Sequence, residues 1–280
     1  MNTLTISALV VLVTACSGAP RAEEGAQAAG GASPNTQIHL ASEVQWEQLN
    51  PARGDKSPRA ATLWGDRKGA VATGFLVRFV DGFESPPHLH NVAYRGVVIR
   101  GQIHNDDPSA EEMWMPTGSF WTQPEGGVHI TSAKGEDTVA YIEIEQGPYL
   151  VLPTEKAFEG KQKPVNIDAS NIVWQPVSST HTSAEDPYIA HVWGKPWGEH
   201  LNGALLKWPA GSTVHVRGND QMLRAVVIEG GVRHPLASEA MAPGGHLVSE
   251  GDGTHRLTCE AKPGCLVYIR ARGRVDVTRP

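Results

Sequence analysis

Residues 82–90 are Gly82-Phe83-Glu84-Ser85-Pro86-Pro87-His88-Leu89-His90, and the stretch ends in two histidines one residue apart. In a β-strand successive side chains point to opposite faces, so His88 and His90 project to one side while Leu89 packs on the other. Two imidazoles on one face of a strand offer a pair of nitrogen ligands for a divalent transition metal. One more ligand would complete a site.

A second stretch, from Gly118 to His129, carries the third candidate ligand at its end. Its spacing is that of a strand, a turn and a returning strand. Gly126 can take the positive φ that a tight reversal needs, and Pro124 presets the entry into it. A histidine pair alone is more often a surface or core feature than a ligand pair. Two motifs at compatible spacing favour one metal site, formed by His129 and the histidine pair.

The two motifs resemble those of the cupin family, which have the forms G-x5-H-x-H-x3-4-E-x6-G and G-x5-P-x-G-x2-H-x3-N. The matching positions are Gly82, His88, His90, Gly101, Gly118, Pro124, Gly126 and His129. Tyr94 stands where the first motif has Glu, and Ala133 stands where the second has Asn. The resemblance implies a small double-sheet β-barrel that holds the metal inside.

Composition and patterning favour an all-β protein. The chain of 280 residues has 30 Gly and 20 Pro, and no segment has a long run of helical period. Phe75, Val77 and Phe79 alternate along a predicted strand, and Gly, Pro and Asp turns separate similar short strands, as in a sandwich or barrel. A net charge of −6 without a cluster of basic residues argues against nucleic acid as a partner.

The landmarks of the first half recur in the second half. Leu63-Trp64-Gly65, Gly74, Gly82 and Gly101 return as Val192-Trp193-Gly194, Gly203, Gly211 and Gly230, each shifted by 129 residues (211 − 82), and Met115, Gly118 and His129 return as Met241, Gly244 and His255, shifted by 126 residues (255 − 129). The repeat predicts two tandem cupin-type jelly-roll barrels. We expect a metal-binding domain over residues 37–163 and a degenerate copy over residues 164–280.

The second copy lacks the candidate ligands. It has Arg217, Asn219 and Leu223 at the positions of His88, His90 and Tyr94, while His255 keeps the position of His129. One imidazole beside a permanently charged guanidinium cannot hold a transition metal. The sequence therefore predicts a metal site in the first copy only.

The N-terminus has the pattern of an export signal. Leu4 to Val13 is an apolar run too short for a stable membrane anchor, and it leads into Val13-Thr14-Ala15-Cys16, which resembles the lipobox of bacterial lipoproteins. That resemblance implies a signal peptide over residues 1–16 and lipidation of Cys16, which would tether the chain facing the periplasm or cell exterior. Residues 17–36 then form a flexible linker. An ordinary signal peptide is the alternative.

Two further cysteines, Cys259 and Cys265, flank a turn-like loop between predicted strands. Export would place them in an oxidising compartment, where they could form a structural disulfide. The alternative is two free thiols.

Three neutral imidazoles leave the double charge of a bound cation uncompensated. Such a centre favours an anionic or enolate-like small molecule and keeps coordination positions open for it, for water or for dioxygen. Resemblance to cupins with a three-histidine centre, such as the acetylacetone-cleaving dioxygenase and cysteine dioxygenase, implies ferrous iron (Fe2+) and oxidative chemistry. The ligand set also fits zinc (Zn2+), manganese, nickel or copper.

Tyr94 and Glu143 are the candidate catalytic residues. Near a divalent cation the Tyr94 phenol could act as a fourth ligand, or as an acid or base with a lowered pKa, or it could turn outward and pack. An inward Tyr94 would make a proton-abstracting lyase or isomerase an alternative to an oxygenase. Glu143 lies on a strand whose polar face includes Tyr141 and Glu145, so it serves as a general base or ligand-orienting group if that face is internal, and as a solvated residue if it is not.

Other polar and aromatic residues are weaker candidates. Trp114, Phe120 and Trp121 could line an apolar pocket or belong to the core. His104 precedes an acidic turn, which favours a surface position over ligation.

Residues 37–280 as a whole resemble a tandem cupin of a little-characterised bacterial family related to the cupin domain of the anti-sigma factor ChrR. The segments that carry this resemblance are 49–55, 94–99 and 113–116. It implies zinc and a sensing role. The sequence thus leaves three hypotheses: a metal-dependent oxygenase for a small organic molecule, a non-catalytic zinc-binding or ligand-binding lipoprotein, and an envelope scaffold braced by its metal. A homodimer is also left open.

Overall fold

The computed structural model describes residues 35–178, 186–218 and 222–280, and these are mostly β-structure, as expected from the composition. The strands in these ranges are β1 (Asn35–His39), β2 (Glu47–Gln48), β3 (Arg59–Trp64), β4 (Thr73–Phe79), β5 (Leu89–His90), β6 (Tyr94–Asp106), β7 (Phe120–Gln123), β8 (Ile130–Ile144), β9 (Val151–Leu152), β10 (Val165–Ile167), β11 (Gln175–Pro176), β12 (Tyr188–Gly194), β13 (Leu201–Pro209), β14 (Thr213–Gly218), β15 (Met222–Glu229), β16 (Val232–Arg233), β17 (His246–Glu250), β18 (Thr254–Cys259), β19 (Gly264–Arg272) and β20 (Val275–Thr278). Short 3-10 helices cover Ala41–Glu43, Pro51–Lys56, Thr154–Lys156 and Ala169–Asn171.

Two seven-stranded sheets have the same internal order. One runs β10-β7-β6-β8-β4-β3-β2 and the other runs β1-β17-β15-β19-β13-β12-β11, so that each strand of the first has its repeat equivalent at the same place in the second. A four-stranded sheet, β16-β18-β14-β20, faces the second across an apolar core, and the pair β5-β9 belongs to the first half. The predicted all-β architecture is confirmed.

The long strands of the first half bend at a glycine that the repeat preserves. The pairing of β6 with β8 changes register between Arg100 and Gln102. Gly101 lies at this bend with a φ of +75°, and a Cβ there would come within 2.2 Å of the Thr138 hydroxyl oxygen. In the second half Gly230, with a φ of +88°, separates β15 from β16. The recurring glycine therefore marks the corner at which a strand leaves the large sheet.

The two halves exchange their first strands. Strand β1 pairs antiparallel with β17 of the second half, from Asn35 opposite Glu250 to His39 opposite His246. Strand β10, which follows the first half, pairs antiparallel with β7 of that first half. Strand pairing thus crosses the predicted boundary between residues 163 and 164 in both directions.

The large sheets also pack against each other through a shared apolar core. Its buried members from the first half are Ala61, Leu63, Leu76, Val97, Ile99, Phe120, Val139 and Tyr141, and those from the second half are Ala190, Leu205, Val226, Ile228, Leu266 and Tyr268, with Ile172 between them. Full burial of one large apolar side chain contributes about 1.5 to 3 kcal/mol. The described residues accordingly form one compact unit.

Features near the two termini complete the fold. Cys259 and Cys265 are joined by a disulfide with their Cα atoms 5.7 Å apart, as the first of the two alternatives predicted.

The predicted signal peptide, Cys16 and all but the last two residues of the predicted linker lie outside the described residues. Across the described ranges, no helix has the length and apolar character needed to cross a membrane.

Candidate metal centre

Backbone pairing brings the two histidine motifs together. His88 and His129 lie opposite each other in an antiparallel bridge, and each backbone N–H donates to the carbonyl of the other at 3.0 and 2.9 Å. His90 follows in β5, so its side chain lies on the same side as that of His88. One ring nitrogen from each of the three histidines lies within 4.8 Å of the other two. The predicted convergence of the three imidazoles is therefore present.

Each of the three rings is oriented by a backbone carbonyl. The Nδ1 atoms of His88, His90 and His129 lie 3.0, 2.9 and 3.2 Å from the carbonyl oxygens of Pro86, Leu150 and Gly127. A carbonyl only accepts, so each Nδ1 carries the proton and each Nε2 keeps its lone pair. Metal-binding histidines have this arrangement, in which an outer hydrogen bond fixes the tautomer and the ring orientation.

Burial keeps the rings neutral. It lowers the pKa of His129 to about 3, with the His88 ring adding to the effect, and it lowers the pKa of His90 well below the ordinary value. The pKa of His88 is lowered by burial and by the nearby charge of Arg53. A histidine must be neutral to bind a metal. Three neutral, oriented imidazoles, two of them buried and that of His88 half-buried, fit a divalent transition metal.

Tyr94 points into this site. Its side chain is buried, and its hydroxyl lies 3.3 Å from Nε2 of His129 and donates to Oδ1 of Asn105 at 2.8 Å. Burial raises the pKa of Tyr94, which is the opposite direction to the lowered pKa considered from the sequence. Without a bound cation, Tyr94 is therefore a neutral phenol at physiological pH.

Tyr149 is a second phenol in the site, and sequence reasoning missed it. Its hydroxyl lies 3.2 Å from Nε2 of His90, and the two rings stack at 4.3 Å. Burial raises the pKa of Tyr149 well above its ordinary value. The following residue, Leu150, supplies the carbonyl that orients His90. The pairing of β5 with β9 brings this segment to the site, although it lies beyond both sequence motifs.

A polar network connects Tyr94 to the turn before His129. The Asn105 amide accepts from Tyr94 and from Thr131 and donates to Oε1 of Gln123 at 3.1 Å. Gln123 in turn donates to the carbonyl of Gly127 at 3.0 Å, the same carbonyl that orients the third histidine. The network fixes the position of the Tyr94 hydroxyl relative to the imidazoles.

A cavity of about 500 Å³ opens beside the metal centre, and His88 and His90 are among its lining residues. Its apolar walls include Leu49, Pro58, Val77, Phe79, Phe83, Trp121, Ile142, Leu150 and Val151. Of the three predicted aromatic pocket residues, only Trp121 lines it. Phe120 points into the core between the sheets, and Trp114 packs against Lys134. The size and apolar character fit a small organic molecule.

Glu143 does not belong to the site, contrary to the prediction that placed it on an internal catalytic face. Its neighbour Ile142 lines the cavity, so Glu143 points to the opposite face of β8. There it is fully buried and accepts hydrogen bonds from Tyr268 at 2.8 Å and from Arg270 at 3.1 Å. The alternative prediction, that Glu143 lies on a solvated face, is also wrong because its side chain is fully buried.

His104 was expected near the surface, but it is buried with 2% exposure. Its Nδ1 accepts from the backbone N–H of Met113 at 3.3 Å, and its ring lies 5.9 Å from that of Trp114. These contacts describe a packing role for His104.

The second half has no comparable centre in its described part. His255 is buried, and its ring lies 5.6 Å from that of His234. Arg217 makes two hydrogen bonds to Asp252, whereas Asn219 lies outside the described residues. Within ranges 35–178, 186–218 and 222–280, the only cluster of three or more potential metal-ligating side chains is the one in the first half. That the second half binds no metal stays a prediction.

The fold and the site together define a cupin-like β-protein with a three-histidine group suited to a divalent metal. The chain belongs to the family described as "Domain of unknown function (DUF4437)", whose model matches residues 37–278. Its sequence matches none of the curated proteins with which it was compared.

Solved structures of low sequence identity share the fold. A "putative dioxygenase" from Nostoc punctiforme is similar with a TM-score of 0.60 and 14% identity, over 90% of this chain and 92% of that one. An oxalate decarboxylase variant from Bacillus subtilis has a TM-score of 0.53 and 14% identity, over 93% and 81%. The protein GK1651 from Geobacillus kaustophilus has a TM-score of 0.53 and 14% identity, over 88% and 98%. At such identities the likeness shows the fold alone, and the relation to ChrR stays a prediction.

Proposed function

We propose that this protein is a metal-dependent oxygenase that acts on a small organic molecule, with the metal held by His88, His90 and His129. The observation that carries the proposal is the set of three neutral imidazoles, each with Nδ1 fixed by a carbonyl and Nε2 unprotonated, beside a largely apolar cavity of about 500 Å³. A metal with three protein ligands keeps positions open for exchangeable ligands. The cavity gives a small molecule access to them.

Ferrous iron is the metal we propose for this reaction, since it supplies the one-electron chemistry that dioxygen requires. The chain's own residues bind the substrate and exclude water along the walls formed by Phe79, Phe83 and Trp121. Tyr149 is a neutral phenol next to the imidazoles, and its hydroxyl can donate a hydrogen bond to an anionic group bound there, whereas the Tyr94 hydroxyl already donates its one proton to Asn105. The same donor would serve a lyase or isomerase, which is the variant of this proposal that needs no dioxygen.

A non-catalytic zinc or ligand-binding protein is the second candidate, and one observation favours it. The hydroxyls of Tyr94 and Tyr149 lie 3.3 and 3.2 Å from the Nε2 atoms of His129 and His90. A phenol oxygen this close could occupy a coordination position on the metal, and catalysis would need that position open for substrate or dioxygen. A closed coordination sphere is typical of structural zinc.

Metal analysis combined with oxygen uptake separates the two functions. The full chain would be purified without added metal, analysed for bound metal, then loaded anaerobically with ferrous iron and mixed with a panel of small organic acids and β-diketones. The oxygenase predicts dioxygen consumption that depends on one of these compounds and disappears in His88→Ala. Tightly held zinc, together with no dioxygen consumption by the iron-loaded protein, would reject the oxygenase in favour of the binder. His255→Ala is the matched control, since it removes a buried imidazole from the other half.

We also propose that the protein is exported and anchored through Cys16. The disulfide between Cys259 and Cys265 supports an oxidising compartment. Labelling of expressing cells with radioactive palmitate tests the anchor: the full chain should incorporate label and Cys16→Ser should not. An unlabelled wild-type chain would leave the ordinary signal peptide as the explanation.

A further inference from the structure

The charged residues of the cavity all have one sign. Arg53, Arg67 and Lys68 line it, and none of the lining residues that the structure describes is Asp or Glu, although the chain carries a net charge of −6. Glu47 pairs with Arg67 and lies 3.7 Å from Lys68, so these two cations share one counterion. Arg53 has no ion pair with any Asp or Glu that the structure describes. Among the described charged residues of the cavity, Arg53 is therefore the one without an ion-pair partner.

The guanidinium of Arg53 lies at the edge of the cavity, where it contacts an aromatic ring and a backbone carbonyl. It lies in the 3-10 helix Pro51–Lys56, with its guanidinium 5.2 Å from the centre of the Phe83 ring. One of its N–H groups donates to the carbonyl of Glu84 at 3.4 Å. A guanidinium has five N–H donors, so most of its hydrogen-bonding capacity is left for a ligand. Its geometry matches the two oxygens of a carboxylate.

The rest of the cavity suits an apolar body. Phe79, Phe83 and Trp121 form aromatic walls, and Leu150 and Val151 at the lining are 44% and 65% exposed. Exposed apolar side chains clustered around a cavity are typical of sites that bind apolar ligands. A fully hydrated polar ligand such as a sugar would leave these surfaces unmatched.

We infer that the cavity binds a small amphipathic carboxylate, whose acid group pairs with Arg53 while its apolar body packs between the aromatic walls. The opposite end of the ligand then faces the three histidines. The inference rests on the proposed function for the role of that opposite end, and on the cavity alone for the selection of a carboxylate.

The test compares an acid with its neutral analogue. Binding of 3-phenylpropionate and 3-phenylpropionamide to the full chain would be measured by calorimetry, both metal-free and zinc-loaded. The carboxylate should bind about tenfold more tightly than the amide, as a charge-assisted pair contributes. Arg53→Ala should remove this preference by weakening carboxylate binding far more than amide binding, and Arg53→Lys should retain part of it because lysine keeps the charge but not the planar fork.

Arg59→Ala is the matched control, since Arg59 is an exposed arginine that does not line this cavity. It should keep the preference for the carboxylate. Equal binding of acid and amide to the wild-type chain, or equal loss of preference in Arg53→Ala and Arg59→Ala, would overturn the inference. A preference seen only with zinc and unchanged in Arg53→Ala would also overturn it, because the metal would then be the anchor.

The outcomes separate this inference from the proposed function. Arg53-dependent selection by a chain that takes up no metal supports the carboxylate site and removes the oxygenase. Compound-dependent dioxygen uptake by a chain that does not distinguish acid from amide does the reverse.

Discussion

The carboxylate of Glu143 and the guanidinium of Arg270 lie 3.1 Å apart, fully buried between the two large sheets, and they occupy equivalent positions in the repeat. Glu143 pairs in register with Gly74, and Arg270 pairs in register with Gly203, the repeat equivalent of that glycine. The two halves thus meet where the repeated positions carry opposite charges. The first half of the chain supplies the anion, and the second half supplies the cation.

The neighbouring equivalent pair is Tyr141 and Tyr268, and both hydroxyls donate to Glu143, at 3.0 and 2.8 Å. The carboxylate therefore has three donors from both halves. Buried charges persist in proteins when they are paired and hydrogen-bonded in this way.

Glu143→Gln should destabilise the fold without affecting the metal site. It leaves the Arg270 charge buried without a counterion, which costs about 3 to 5 kcal/mol when one partner of a buried pair is removed. Urea denaturation would measure the free energy of unfolding. Glu145→Gln is the control, since Glu145 is about half exposed in its pair with Arg95 and should cost less than about 1 kcal/mol. Metal loss in Glu143→Gln with unchanged stability would restore its proposed role in the site.

The sequence located Glu143 correctly on an alternating strand but could not identify its surroundings. Alternation of polar and apolar residues usually marks one solvated face. Here one face of β8 lines the cavity and the other packs against the second sheet, so both faces are buried. The deciding contact, with Arg270, is 127 residues away in sequence and depends on how the two halves pack.

The histidines could be predicted because their arrangement depends on local geometry. His88 and His90 share a face by the two-residue period of a strand, and a single turn returns His129. Tyr149 has no such pattern: it reaches the site through a two-residue strand pairing that no periodicity marks. The pairing of β1 with the second half was likewise not predicted, because the first two residues of this strand were assigned to the linker that extended to residue 36.

Single replacements of the candidate ligands should separate the two halves. His88→Ala and His129→Ala should each abolish metal binding, because two imidazoles remain where three are needed to hold the ion. His255→Ala should leave metal content unchanged, since His255 faces His234 in an apolar interior. Metal content of the purified variants by mass spectrometry gives the answer. Equal loss in all three variants would contradict a single site in the first half.

Truncation of the Ile38 side chain in β1 should destabilise the second half. Ile38 pairs in register with Leu247 and packs on the core of the second half. Ile38→Ala should cost about 1 to 2 kcal/mol, for a partly buried side chain, and should speed amide hydrogen exchange in β17 more than in β7. Gln37→Ala, at the exposed neighbouring position, should leave exchange unchanged. Faster exchange confined to the first half would contradict the strand exchange.

Acid should destabilise the protein through buried histidines outside the metal site. Burial, followed by the charge of His39, lowers the pKa of His246 to about 4, although the bond of its Nε2 to the carbonyl of Leu63 at 3.0 Å opposes the shift. The folded pKa is then below the ordinary value of 6.5, so between these values the unfolded chain binds more protons.

The contribution of His246 to the free energy of unfolding should therefore be constant above about pH 7 and fall from about pH 6.5 toward pH 4, by up to about 1.4 kcal/mol per pH unit. Urea denaturation at several pH values, with a chelator present, would compare the wild type with His246→Gln, which cannot titrate. The histidines of the metal site titrate in both proteins, so their contribution cancels in the difference. His246→Gln should have the shallower pH dependence. Equal slopes would show that His246 binds the same number of protons in the folded and the unfolded chain, which would contradict its lowered pKa.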